Sequence, residues 1–330
     1  MSEIVKGLWG KLYAWALPSA VTLGVFFLFV YSKTTIGHPR WLDAASETEK
    51  TAIFVGLTAV IAFLLNTFSL QLYRILEGYL FWPRWLQDKQ KASQLQRKRE
   101  LEAALAGSGW MHGLALERLA RYPLRDDQVT PTTFGNAIRA FETYGKTRLN
   151  LDSQTLWYEL CAVAPKYIQT EIDSARSSVD FLVASIYLSA ALGVVTFAIA
   201  AFENYDRSIL VVCILAFFAT LVCHWLVGKA TRDWGYTVQA LVNISRVKLA
   251  DGLGLQLPES LDEEKTMWRL VTSYVFSGSA EYGVQLDRFR KKLESTAPKA
   301  ANAPTPSAGK EPQKAAEEPD RDAEELQDEL

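Results

Sequence analysis

The side chains that most often perform chemistry are few in this chain, and they do not fall into reactive patterns. The three cysteines, Cys161, Cys213 and Cys223, form no CxxC pair, and the three histidines have no Cys, Asp or Glu beside them at metal-ligand spacing. No nucleophile-base order, carboxylate pair or phosphate-binding loop emerges. The sequence therefore predicts a non-enzymatic protein without a cofactor or a metal site, and leaves open only an active site assembled from distant residues.

One histidine lies within a long apolar segment and is a candidate functional residue. His224 follows Cys223 near the end of that segment, and an ionisable side chain inside a membrane is a functional candidate by default. Trp225 and Lys229 follow closely, and side chains of these types mark a membrane surface. We expect His224 to lie near that surface, either hydrated or bonded to a neighbouring carbonyl.

Further polar side chains occur towards the end of the second apolar segment. The candidates are Asn66, Gln71, Arg74 and Glu77. They are compatible with three roles: lining an aqueous path, bonding between helices, or reaching the membrane surface. The first role is the basis of the alternative function, an oligomeric ion channel or pore.

Four apolar runs, rather than the overall composition, determine the fold class. The mean hydropathy of +0.01 averages apolar and strongly charged segments, whereas a transmembrane helix needs about 20 consecutive apolar residues. The runs occupy residues 12–31, 51–73, 181–202 and 208–228. We predict an all-α polytopic membrane protein with four transmembrane helices, arranged as one hairpin in 1–80 and a second in 181–250.

Basic residues that flank these runs predict the orientation of the helices. Lys and Arg are dense between residues 74 and 99, after the second run, and they also flank the start of the first run and the end of the fourth. Basic residues of this kind are retained in the cytoplasm. Both termini are therefore predicted to be cytoplasmic, although the first connection carries three basic residues and follows the rule less well.

The remaining segments predict a helical region on the cytoplasmic side. Helical patterns within 81–180 occur at 85–105, 134–144 and 152–164, and a further pattern leads without interruption into the third span. The fourth span continues in the same way as far as Gly252. The C-terminal part, 251–294, has one further helix at 260–276.

The helix at 85–105 is rich in basic side chains close to the membrane. The candidate contacts for anionic lipid headgroups are Arg84, Lys89, Lys91, Arg97, Lys98 and Arg99. The same charges also satisfy the retention rule without any ligand. Nucleic acid is not predicted as a partner, because no aromatic side chains are interleaved with the basic ones.

Small residues recur at every fourth position in two of the runs, a spacing that favours close helix packing. They are Ala16, Ala20 and Gly24 in the first run and Ser185, Ser189 and Gly193 in the third. The pattern is compatible with packing inside one chain and with a homo-oligomer, and we favour packing inside one chain.

The C-terminal segment, 295–330, is predicted to be a disordered acidic tail. It is rich in Ala and Pro and has nine acidic against four basic side chains. Such a segment has too little apolar surface to offset the entropy lost on ordering. Its charge favours contact with a basic protein partner or with the chain's own basic helix.

Three stretches carry a resemblance to known proteins: TPTTFGNAIRAFETYG, LWYELCAVAP and LGLQLPESLDEEKTMWRLV. Between Thr130 and Phe276 the chain resembles uncharacterised bacterial four-span membrane proteins. That family has no assigned activity, so the resemblance implies a bacterial inner membrane and transfers no functional residue. We expect a membrane protein whose helical cytoplasmic part acts as a scaffold or sensor.

Overall fold

The computed structural model describes residues 3–34, 44–202 and 207–291, and within these ranges the chain forms twelve α-helices and no β-strand. In chain order they are α1 (Glu3–Val25), α2 (Glu47–Thr67), α3 (Ser69–Glu77), α4 (Arg84–Ala104), α5 (Trp110–Leu119), α6 (Thr133–Glu142), α7 (Tyr144–Leu149), α8 (Trp157–Val163), α9 (Lys166–Phe202), α10 (Arg207–Gly252), α11 (Leu261–Ser277) and α12 (Ala280–Leu286). The all-α prediction is confirmed. The predicted tail at 295–330 lies outside the described residues.

Four of these helices, α1, α2, α9 and α10, are long and apolar enough to cross a membrane, which confirms the four predicted spans. A capping box starts α2: the Ser46 hydroxyl accepts from the Glu49 N–H, and the Glu49 carboxylate accepts from the Ser46 N–H. The apolar part of α1 extends through a π-helical turn, Phe26–Val30. These elements form a polytopic helical membrane protein.

The second span is shorter than its apolar pattern predicts. The run 51–73 is divided at Phe68, where the backbone leaves the helical region, so that α2 ends at Thr67 and α3 begins at Ser69. The 21 residues of α2 rise about 31 Å, which matches the thickness of a bilayer core. The Tyr187 hydroxyl donates to the Leu72 carbonyl at 2.8 Å and fixes α3 against α9. Tertiary contacts therefore set this boundary.

Helices α9 and α10 form the central hairpin and extend well beyond the membrane, as their uninterrupted patterns predict. They contain 37 and 46 residues, which correspond to about 55 and 69 Å of helix. The start of the predicted third span, at residue 181, falls inside α9, which is continuous there. The two helices pack against each other along their length. A rigid pair of helices thus connects the membrane with the remainder of the protein.

The helices outside the membrane pack around these extensions, and we call α4–α8, α11 and α12 the body. One apolar cluster, which we call the body cluster, lies between the body and the extensions of α9 and α10. It includes the fully buried side chains of Leu160, Leu241, Met267 and Trp268. The patterns predicted α4, α6, α8 and α11 within a few residues, but not α5, α7 and α12. The described chain up to Lys291 is one compact unit.

A second apolar cluster connects the spans with the body. It includes Trp15 of α1, Phe134 of α6, Val183 of α9 and Val227 of α10. Because α6 belongs to the body and the other three helices span the membrane, the body packs directly under the spans. We call this end of the spans the body side.

The small residues of the third span are buried or half-buried, whereas those of the first span differ in their surroundings. A Cβ atom added at Gly193 would lie 3.0 Å from the Phe217 ring of α10. The Ser189 and Thr220 hydroxyl oxygens lie 2.8 Å apart, and Ser185 and Ser189 are half-buried. In contrast, nothing lies within 4 Å of a Cβ added at Gly24. Gly24 of α1 therefore makes no close contact with another helix in the described part of the chain.

The packing face of α1 is rotated relative to the predicted stripe. Ala16 and Ala20 are only half-buried, whereas Trp15 and Ser19 are buried, and the Ser19 hydroxyl donates to the Trp15 carbonyl at 2.8 Å. Ala16 still contacts the second cluster from its edge. The bulky Trp15 side chain fills the space between the helices at the body side. The contact of α1 there therefore depends on a large side chain rather than on small ones.

Candidate functional site at the body-side boundary

The polar residues of the second apolar segment do not converge on a path inside the described chain. Asn66 is exposed near the end of α2, and Gln71 and Arg74 are exposed on α3, beyond the break at Phe68. Ala62 is the buried residue of α2, so most of that helix faces outward. Among the four candidates, Glu77 is half-buried and belongs to a cluster of charged side chains described below.

His224 lies on the outer surface of α10 rather than in a polar interior. Its side chain is exposed, and one turn later the Lys229 ammonium lies 3.7 Å from the centroid of the Trp225 ring. This cation–π pair is typical of a membrane surface. Cys213 is buried and its thiol donates to the Gly193 carbonyl at 3.5 Å. No group of three His, Cys, Asp or Glu residues in the described ranges is arranged to hold a metal ion.

A buried carboxylate marks the point where α9 enters the membrane. Asp180 precedes the apolar run of α9 and is almost fully buried. The Tyr73 hydroxyl of α3 donates to its Oδ1 at 2.7 Å, and Arg176 Nε lies 4.0 Å from its Oδ2. The Tyr73 ring also packs against Phe134 of α6, with ring centroids 5.7 Å apart. Asp180 and Tyr73 thus join α3, α6 and α9.

We expect Tyr73→Phe to lower the free energy of unfolding by about 1 to 2 kcal/mol, because it removes the donor to a buried carboxylate while retaining the ring packing. Chemical unfolding of the purified protein in detergent measures the change. Tyr158→Phe is the matched control, since Tyr158 is largely exposed. Equal stability of the two variants would show that the bond to Asp180 contributes nothing.

A second set of charged side chains lies where α6 meets α3. The two helices approach so closely that a Cβ added at Gly135 would lie 3.1 Å from the Glu77 carbonyl oxygen. Arg139 forms an ion pair with Glu142 at 3.3 Å and donates to the Tyr79 hydroxyl at 3.3 Å. Only glycine at position 135 permits this approach, which places the Glu77 carboxylate near the charges of α6.

Burial weakens the acidity of both carboxylic acids in this set. Desolvation, reinforced by the negative charge of Glu142, raises the pKa of Glu77 to about 7, although Arg139 and Arg74 oppose the shift. Burial also raises the pKa of Glu142, against the influence of Arg139. Glu77 is therefore a group that changes charge near neutral pH, at the level where the spans meet the body.

A polar cavity of about 390 Å³ lies beside Arg139. Its charged and hydrogen-bonding lining consists of Tyr79, Gln87, Asp88, Lys91, Asp127, Gln128 and Arg139. The lining carries both signs of charge, and Lys91 Nζ donates to the Asp127 carbonyl at 3.4 Å. The cavity suits a polar or zwitterionic group better than a purely apolar one.

A second cavity, of about 510 Å³, lies among α1, α9 and α10 within the spans. Its lining is almost entirely apolar and includes Val25, Phe29, Leu192 and Leu215. Such a lining solvates an ion poorly, because an unpaired charge is costly in apolar surroundings.

Comparison of the chain with family models, curated proteins and solved structures finds no match.

The predicted lipid-headgroup contacts do not all face outward. Arg84, Lys89, Arg97 and Arg99 are exposed and Lys91 is half-buried. The prediction that Lys98 contacts lipid headgroups is wrong, because its side chain is only 3% exposed. Its ammonium donates to the Leu124 carbonyl at 2.8 Å and to Asp126 at 2.7 Å. This hydrogen bond also lowers the pKa of Asp126. Lys98 therefore fixes the 124–126 turn and is not available to a lipid.

Sequence reasoning missed Asp180, Arg139 and Glu142 as members of the site. One signal was present: Asp180 directly precedes a long apolar run, and a carboxylate at that position is costly unless it is paired. The partners of Asp180 and Glu77 come from other helices, and no local motif identifies them.

Proposed function

We propose that this chain is a non-enzymatic membrane scaffold or sensor, in which the spans hold the body at the membrane. The observation that carries the proposal is the continuity of α9 and α10, which run from the membrane into the body without a break. A flexible tether needs no such helices. Continuous packed helices maintain a fixed geometry, and that is useful when the body must present partners or respond to them at a defined distance from the bilayer.

The boundary contacts support the same proposal. The Tyr73–Asp180 bond and the close approach of Gly135 to Glu77 fix α3 and α6 against α9. Movement of the spans would therefore displace α6, and through α6 the body. The tail at 295–330 contributes an acidic contact for a basic protein partner in this proposal.

We also infer that the body side is cytoplasmic, with both termini in the cytoplasm, because the basic side chains concentrate there. The resemblance of the sequence supports a bacterial inner membrane. A topology reporter inserted after Asp206 should then report the opposite side of the membrane from one inserted after Ala92.

Proximity labelling in cells tests the scaffold proposal. The full chain, fused at its C-terminus to a labelling enzyme, should mark a defined set of neighbours. Trp268→Ala, which removes a fully buried side chain from the body, should lose that set at equal membrane abundance, whereas Trp110→Ala, at a largely exposed position, should retain it. Neighbours identical to those of an unrelated four-span protein would contradict the proposal.

An oligomeric ion channel is the alternative, and the exposed side chains of Asn66 and Gln71 favour it. Both face away from the described interior, so they would line a path only in a homo-oligomer. Planar-bilayer recordings of the reconstituted protein distinguish the two functions. Steady conductance that disappears in Asn66→Leu would support a channel and contradict the scaffold proposal.

A further inference from the structure

The connection between α3 and α4, together with the first two residues of α4, exposes large aromatic side chains, and we call residues 79–85 the aromatic loop. Its sequence is YLFWPRW. Phe81 is 84% exposed and Trp85 is 69% exposed. A large apolar side chain at such exposure loses the stabilisation of burial, about 2 kcal/mol, unless something outside the chain covers it.

The backbone of the aromatic loop is held in place rather than loosely extended. Gly78 has a φ of +88°, and a Cβ at this position would lie 2.9 Å from Pro131. The Gln87 amide donates to the Trp82 carbonyl at 2.9 Å. Between these contacts Phe81 adopts a φ of +61°, a left-handed conformation that costs a non-glycine residue about 1 to 2 kcal/mol. The surrounding contacts thus maintain an outward Phe81 against local strain.

The depth of the aromatic loop follows from the contacts of α3. Tyr73 bonds to Asp180, the last residue before the apolar run of α9, and therefore lies at the membrane boundary. Gly78 is five residues further along the chain, which is at most about 8 Å of helix. The headgroup region of a bilayer is of similar thickness, roughly 5 to 8 Å on each side. The loop therefore begins within or immediately below the lipid headgroups.

The exposed apolar surface of the second span also continues towards the loop. Phe63 at the end of α2, Phe68 at the break and Leu70 on α3 are all exposed large apolar side chains. Arg84 lies within the loop and is exposed, as is Lys89 on the first turns of α4. Aromatic side chains next to basic ones are typical of protein surfaces that contact the headgroup region of a bilayer.

We propose that the aromatic loop is a lipid-binding anchor that inserts Phe81 and Trp85 into the body-side leaflet, with Arg84 and Lys89 on anionic headgroups. A bilayer is favoured over a protein partner because the loop continues the apolar surface of a span and starts at headgroup depth. The anchor fixes the start of α4, and hence the adjacent body, against the membrane surface at a point separate from the four spans.

Site-specific fluorescence tests this anchor. In a background where the three native cysteines are replaced by serine, Phe81→Cys is labelled with an environment-sensitive dye, and the protein is reconstituted in nanodiscs of phosphatidylcholine and phosphatidylglycerol. Some of the phosphatidylcholine carries a nitroxide near its headgroup. Phe276→Cys on α11 is the matched control, because Phe276 is 83% exposed and lies on α11, whose buried side chains belong to the apolar cluster of the body.

We expect the nitroxide to quench the label at position 81 at least about threefold more strongly than the label at 276, since only a group at the headgroup boundary meets it. Aqueous iodide should show the reverse order. Trp85→Cys repeats the test if Phe81→Cys does not fold. Equal access of both labels to iodide would overturn the anchor, and shielding of position 81 from both quenchers would show that protein covers the loop.

Discussion

Trp268→Ala should lower the free energy of unfolding by about 3 to 5 kcal/mol, the largest effect that we expect from a single substitution in the body. The indole is fully buried in the body cluster beside Met267 and Leu241. Its N–H donates to Glu264 Oε1 at 3.1 Å, and Arg246 forms an ion pair with the same carboxylate. The substitution removes apolar packing, creates a cavity and takes a donor from a buried carboxylate.

Chemical unfolding in detergent and limited proteolysis together measure this effect. The variant should remain in the membrane, because the four spans do not include residue 268, while the segment between α10 and α11 becomes sensitive to protease. Trp110→Ala is the matched control, since Trp110 is 76% exposed, and we expect its stability to change by no more than about 0.5 kcal/mol. Similar losses in both variants would show that the body cluster does not stabilise the protein as proposed.

The four spans were predictable because the bilayer imposes simple requirements on sequence. A spanning helix needs length and the near absence of charge, and both are visible in single runs. The continuity of α9 and α10 was predictable for a related reason: their patterns extend past the apolar runs without Pro, and no glycine occurs in α9 before Gly193. These features are local in sequence, so one sequence contains them.

Features that depend on contacts between distant residues were not predictable. The division of the second run at Phe68 accompanies the bond from Tyr187 to Leu72, residues separated by 115 positions. Lys98 is one of several basic residues of α4, and it is buried because Asp126 and the Leu124 carbonyl face it. Nothing in the composition of α4 distinguishes Lys98 from its exposed neighbours.

Helix α5 was missed for a different reason. It is short, it follows Gly107 and Gly109, and it contains Gly113, so its intrinsic helix propensity is low. In the structure, Glu117 of α5 forms a tertiary ion pair with Arg232 of α10 at 2.5 Å, and α5 packs against α4. Short helices of this kind are stabilised by what they pack against rather than by their own sequence.

Glu77→Gln should remove a pH dependence of stability of about 2 to 3 kcal/mol, a value that allows for partial solvent screening of the carboxylate. In the folded protein the pKa of Glu77 is raised to about 7, mainly by desolvation, above an ordinary value of 4.5. Between these two values the folded state binds more protons than the unfolded state. The free energy of unfolding therefore falls as the pH rises through this window, and the loss is nearly complete at pH 8.

Unfolding of the wild type and of Glu77→Gln at pH 5 and pH 8 measures this dependence. We expect the wild type to lose more stability than the variant over that range, and the difference between the two losses is the contribution of Glu77. Glu142, whose pKa is also raised by burial, contributes in the same direction and remains in both proteins. Glu100→Gln, at an exposed position on α4, is the control and should behave as the wild type. If Glu77→Gln retained the full pH dependence, the carboxylate would be solvated, and the close packing of α6 on α3 at Gly135 would not desolvate it.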